Sequence, residues 1–97
     1  MKAHYARVVR DTEKRVAHAL SKQNLDKNSP YYGAYVMPNG VYMQKHVLYQ
    51  LASLSAAYCC KDTKYYHDER ILESMLIAFD YVDSTQHENG QIGRAHV

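Results

Sequence analysis

The sequence predicts an all-α chain of antiparallel helical hairpins, and three observations lead there. Apolar residues recur at spacings near three and four in three separate segments. Helix breakers gather between the first two segments, as Asn28-Ser29-Pro30 and Pro38-Asn39-Gly40, and after the third, as Asn89-Gly90. One connection is long and the other short, and a short connection makes neighbouring helices antiparallel.

The first predicted helix runs from about His4 to Leu25. Tyr5, Val8, Val9, Val16, Leu20 and Leu25 form one stripe, so one face is buried. Lys2, Arg7, Arg10, Lys14, Arg15 and Lys22 make this helix basic, but Asp11 and Glu13 interrupt the run, which reads as a solvated face. Pro30 disfavours helical geometry at Ser29 and a long loop follows. That loop is unlike its surroundings. Residues 29–46 carry both prolines, two of the four glycines, four tyrosines and a histidine, with no acidic residue.

The second predicted helix spans about Val41 to Cys60. Met43, Val47, Leu48, Leu51, Ala52, Leu54, Ala56, Ala57, Tyr58 and Cys59 leave little polar face, so it is expected to be buried on most sides. Two neighbours cannot supply that burial, which implies that further chain belongs around it. Adjacent Cys59 and Cys60 rarely bridge each other. They are expected to be small buried apolar residues near a helix end. The segment "CKDTKYYHD" is the short link. Asp68 suits the start of the third helix. There Ile71, Leu72, Met75, Leu76, Phe79 and Val82 form one stripe, and Glu69, Arg70, Glu73, Ser74, Asp80 and Asp83 face away. Running up, down and up places residues 28–40 and 87–91 at one common end.

Composition bounds the function. Ninety-seven residues make at most one small domain, with 46% apolar and 23% charged residues, ordinary for a globular chain. The net charge of +2 with mixed signs gives no footprint for nucleic acid. No apolar run is long enough to span a membrane. No secretion signal is visible, so the compartment is unknown and cytoplasmic by default. The aromatic residues are ten Tyr, one Phe and no Trp. Tyrosine joins apolar area to a polar tip, which suits half-wet grooves.

Alternating half-exposed and buried helices suggest a fragment of an (α/α) toroid, in which hairpins ring a central axis. The stretches "QNLDKNSPYYGAYVMPNGVY" and "LSAAYCCKDTKYYHDERILESMLIAFDYVDSTQHENG" resemble heparinase II/III-like proteins and similar polysaccharide lyases. Their repeat has an inner helix, a "YYHD"-type link, an outer helix and a "QHxxG" end. The resemblance covers about residues 16–91. Gln91 departs from it, where a small hydroxyl residue is expected. Residues 92–97, "IGRAHV", resemble one translated reading frame of a sequencing adapter, which leaves residues 1–91 as the incomplete toroid part.

The resemblance implies β-elimination on uronate-containing glycans, with an acidic polysaccharide or oligosaccharide as partner and no cofactor. Such a lyase needs a base, usually Tyr or His, and a group that neutralises the uronate carboxylate. In the family these lie on later hairpins and a C-terminal β-domain, so no catalytic residue is assigned here and the chain alone is expected to be inactive. Two other readings stay open: an α/α-barrel hydrolase acting on unsaturated uronides, and a non-enzymatic helical-repeat binding module.

The candidate substrate-binding residues are Tyr31, Tyr32, Tyr35, Asn39, His46, His87 and Asn89. The three tyrosines could stack on sugar rings, or instead plug the first gap between helices. Asn39 could touch ligand or simply make a turn, and His46 could be a ligand contact or a satisfied core histidine. His87 and Asn89 could meet ligand or end the third helix. His67, Asp68 and Glu69 are contiguous and read as a first-turn charge cluster, not as metal ligands.

Overall fold

A computed structural model of the chain describes residues 2–85. It contains three helices, α1 (Lys2–Lys22), α2 (Gln44–Cys59) and α3 (Glu69–Thr85), and no strand among the described residues. The all-α expectation holds.

The helix ends are set by competing hydrogen bonds. α1 stops before Leu25 because the backbone turns into a short antiparallel pairing across the loop, centred on Gln23 and Tyr35. Asn24 N–H donates to the Ala34 carbonyl at 2.7 Å, and Gly33 N–H donates to the Asn24 carbonyl at 2.7 Å. α2 starts at Gln44, later than Val41, because residues 37–41 close their own turn. Met37 N–H donates to the Val41 carbonyl at 2.9 Å, and Gly40 takes φ 81°. At α3, the Asp68 carboxylate accepts from Arg70 N–H at 2.8 Å, an N-terminal cap as its position suggested. Thr63 closes the far end of α2, where its hydroxyl donates to the Ala57 carbonyl at 2.6 Å and satisfies a group the helix leaves orphaned.

α1 and α2 run antiparallel, as do α2 and α3. The α2–α3 link lies against the N-terminal half of α1: Lys64 N–H donates to Glu13 Oε2 at 2.7 Å, and the Tyr5 hydroxyl bonds the Asp62 carboxylate. The long loop occupies the other end. The core comprises Val16 and Ala19 from α1, Ala34 and Tyr35 from the loop, Val47, Leu51, Leu54 and Ala57 from α2, Tyr65 from the link, and Ile71, Met75, Ala78 and Val82 from α3. Full burial of one Val, Leu or Ile contributes about 1.5–3 kcal/mol, so so short a roster supports only a modest stability.

Burial departs from expectation on three helical faces. On the first two turns of α1, Tyr5 and Val8 stay exposed although the Tyr5 hydroxyl reaches the link. α2 is not buried on most sides: Leu48 is 50% and Tyr49 66% exposed, and Ala52, Ala56 and Cys59 are also open. The expected α3 stripe splits, since Ile71, Met75 and Val82 are buried while Leu76 and Phe79 are 56% and 54% exposed. The cysteines correct the earlier reading too. Both are free thiols, Cys59 exposed and Cys60 half-buried, because Cys59 sits on the open flank of α2.

The open flanks of α2 and α3 point the same way. On α2, Leu48, Ala52 and Cys59 lie away from His46, Gln50 and Ser53, which border α1. On α3, Leu72, Leu76 and Phe79 lie away from Ser74 and Ile77, which meet the loop. In an antiparallel pair these positions fall on one side, opposite α1 and the loop.

Candidate functional site

The tyrosine-rich loop folds on itself before it meets anything else. Asn24 Oδ1 accepts from Asp26 N–H at 2.9 Å, Asp26 Oδ1 from Asn28 N–H at 2.9 Å, and Ser29 Oγ from Tyr31 N–H at 3.0 Å. Short polar side chains thus hold the backbone in successive turns. Asn24 Nδ2 also donates to Tyr42 Oη at 3.2 Å, which joins the start of the loop to its end.

The candidate residues separate into distinct places. Tyr31 lies flat on Tyr42, with ring centroids 4.5 Å apart and planes 7° from parallel, and keeps 44% exposure. Tyr32 lines a cleft of about 460 Å³ between the loop and the end of α3, with Lys27, Ser29, Pro30, Asp80, Tyr81, Ser84 and Thr85. The loop and the α3 terminus therefore share one surface, as connectivity required. His87 and Asn89, expected on that same surface, lie outside the described residues.

Tyr35 is elsewhere. It is fully buried and offers a ligand no surface. Its hydroxyl sits 3.0 Å from Ser74 Oγ. The Ser74 hydroxyl proton goes to Gln23 Oε1 at 2.7 Å, so Tyr35 is the donor to Ser74. Gln23 Nε2 in turn donates to the Ser74 carbonyl at 3.0 Å and the Gly33 carbonyl at 3.1 Å. Burial pushes the Tyr35 phenol above its ordinary range, and the Ser74 bond offsets part of that rise. Tyr35 plugs the gap between helices, the plainer of the two roles open to it.

Asn39 makes the turn: its Oδ1 accepts from Val41 N–H at 3.1 Å. His46 lies on neither tyrosine surface. It is half-buried in a groove of about 500 Å³ between α1 and α2, with Lys14, Arg15, His18, Tyr49, Gln50 and Ser53. His46 Nε2 and Gln50 Nε2 are 3.4 Å apart.

Sequence reasoning missed two features. Tyr42 is the partner that orders Tyr31, and its place in the aromatic-rich segment was the available signal. The groove needed two helices to be docked, so Lys14 and Arg15 read only as parts of a wet face and His18 carried no signal.

At the opposite end, His67 takes φ 52° and stacks on Tyr66 with centroids 3.9 Å apart. Its N–H donates to the Tyr58 carbonyl at 3.0 Å, which closes α2. Beside it, the Arg70 guanidinium, 2.7 Å from Asp68, holds the Asp68 carboxyl below the usual carboxylate range. Hydrogen bonds to Asp62 and then Cys60 push the Tyr5 phenol far upward, so it is not a ready base. Among the described residues, no three His, Cys, Asp or Glu side chains gather to hold a metal, and no helix is long and apolar enough to cross a membrane.

Compared with known proteins, the chain matches no family model, no curated protein and no solved structure.

Proposed function

We propose that the chain is part of an α/α toroid that binds uronate-containing glycans and, with the rest of that toroid, cleaves them by β-elimination. One observation carries the multi-hairpin part of this reading. The α2–α3 hairpin leaves Leu48, Leu72, Leu76 and Phe79 open on a single flank. A flank of that kind is what a following hairpin of a helical ring covers, and contiguous apolar surface on a folded chain marks an interaction site.

The glycan part draws support from the tyrosine end. Tyr31, ordered by Tyr42, presents an aromatic face, and Tyr32 borders a cleft that also holds Lys27, Asp80, Ser84 and Thr85. Sugars fit such walls, with C–H faces on the ring and hydroxyls on the polar rim. The lyase chemistry rests on the resemblance of residues 16–91 alone. By that resemblance the base and the carboxylate-neutralising group come from later hairpins and a β-domain.

The first turn of α2 carries no acidic residue, and the hydrolase reading would place one there. The lyase reading is therefore preferred.

The test uses the reading frame extended to its natural stop. Its product should raise ultraviolet absorbance on at least one member of a panel of uronate polysaccharides, from the new carbon–carbon double bond. A flat signal across the panel rejects the lyase. In the active product, Tyr31→Ala and Tyr32→Ala should raise KM about tenfold or more while helical circular dichroism is kept, as loss of 1.4 kcal/mol of binding implies. Unchanged kinetics would return both tyrosines to packing.

A further inference from the structure

We propose that the groove between α1 and α2 is an oxyanion-binding site, taking a sulfate or phosphate group, free or as the monoester of a small sugar. This does not rest on the lyase reading, and either can fail without the other.

Four basic side chains line one concavity: Lys14, Arg15 and His18 from α1, and His46 from α2. No carboxylate lines it. The nearest acid in sequence, Glu13, accepts from Lys64 N–H of the link at 2.7 Å and borders a separate depression that Lys14 also lines. Among the described residues the only ion pair is Arg70 with Asp68, and neither Lys14 nor Arg15 pairs with a carboxylate there.

Two of the groups are held in place. Arg15 Nη2 donates to Thr12 Oγ1 at 3.2 Å, which leaves its other guanidinium N–H groups to donate elsewhere. His46 is steadied by Gln50, one turn on. Even a neutral imidazole offers one N–H donor, and ammonium and guanidinium groups add charge-assisted bonds. A tetrahedral oxyanion presents several acceptor oxygens, so it can meet donors arriving from both helices at once.

Tyr49, 66% exposed, forms one wall. That ring gives a sugar monoester a face that the bare ion cannot use.

The experiment titrates the 97-residue chain with sodium sulfate, sodium phosphate and glucose 6-phosphate at a fixed ionic strength of about 50 mM, balanced with sodium chloride so that screening stays constant. Imidazole resonances are followed by NMR, with glucose as the uncharged control. Saturable shifts at His18 and His46 are expected, with Kd on the order of 1 mM. The double variant Lys14→Gln/Arg15→Gln should weaken binding about tenfold or more, because both charge-assisted donors are lost. Both side chains are exposed, so helical circular dichroism should be unchanged. Arg7→Gln removes a charge from the same helix away from the groove and should leave affinity alone.

Tighter binding of the ester assigns the site to a sugar monoester, and equal binding assigns it to the free ion. Shifts that do not saturate overturn the proposal. So does equal weakening by Arg7→Gln, which would reduce the effect to diffuse charge.

Discussion

Gly33 lies directly against the backbone of Ile77. A Cβ at position 33 would stand 2.5 Å from the Ile77 carbonyl oxygen and 3.0 Å from its Cγ2. The contact seats the tyrosine loop on α3 with no room for a side chain at position 33. It also uses φ 94°, a conformation side chains rarely adopt.

Gly33→Ala should therefore destabilise more than Gly40→Ala. Position 40 has a similar φ of 81°, but nothing lies within 4 Å of its added Cβ. Backbone strain alone costs about 1–2 kcal/mol at either site. The Ile77 clash should bring Gly33→Ala to about 3 kcal/mol or more, within the range of strain plus overpacking. Urea denaturation of both variants decides it, and equal losses would mean that α3 moves aside freely.

Ser74→Ala should cost about 1–3 kcal/mol, because it strips the buried Tyr35 hydroxyl of its acceptor and Gln23 Oε1 of its donor. Tyr35→Phe removes one of those needs. The double variant should lose less than the sum of the singles, as coupled groups do. Strictly additive losses in a thermal-melt cycle would place the two hydroxyls apart in solution.

Acid should loosen the start of α3 through Asp68. Arg70 holds the folded carboxyl below its usual range, so the unfolded chain protonates first as pH falls. The stabilisation is complete above about pH 4, the ordinary carboxylate value, and is lost as pH drops through the lower folded pKa. Asp68→Asn keeps a capping side chain and removes the charge. Melting temperature measured from pH 7 down to 2 should fall less steeply in Asp68→Asn than in the parent. Parallel curves would remove Asp68 from the acid response.

Leu76→Glu with Phe79→Glu should make the chain more soluble and lower its binding of a hydrophobic dye. Both side chains are more than half exposed, so circular dichroism should barely change. Collapse of the helical signal would show that these residues hold the chain's own core.

Three helices were legible because apolar spacing is a local property, and Pro30, Pro38 and Gly40 mark where it stops. The ends were less so. Leu25 fits the α1 stripe, but Asn24 N–H finds the Ala34 carbonyl instead of a helical partner. On α3 the stripe of six apolar residues is wider than one interface. Composition cannot say that docking buries Ile71 and Met75 and leaves Leu76 and Phe79 bare, since that depends on the angle between helices. The tyrosines show the same limit. Tyr31, Tyr32 and Tyr35 look alike in sequence. Tyr35 is buried because Ser74, 39 residues away, accepts its hydroxyl. His46 closes the tyrosine-rich stretch in sequence, yet its neighbours Lys14 and His18 come from another helix.

The bonds among Gln23, Ser74 and Tyr35 make up a polar knot inside a largely hydrocarbon interior, and hydrocarbon contacts tolerate sliding. Move α3 by one turn along its neighbours and Leu–Ala contacts re-form with small loss, whereas the knot loses every partner together. The arrangement acts as an index pin: it admits a single axial setting of α3, and with it a single depth for the crevice beside Tyr32.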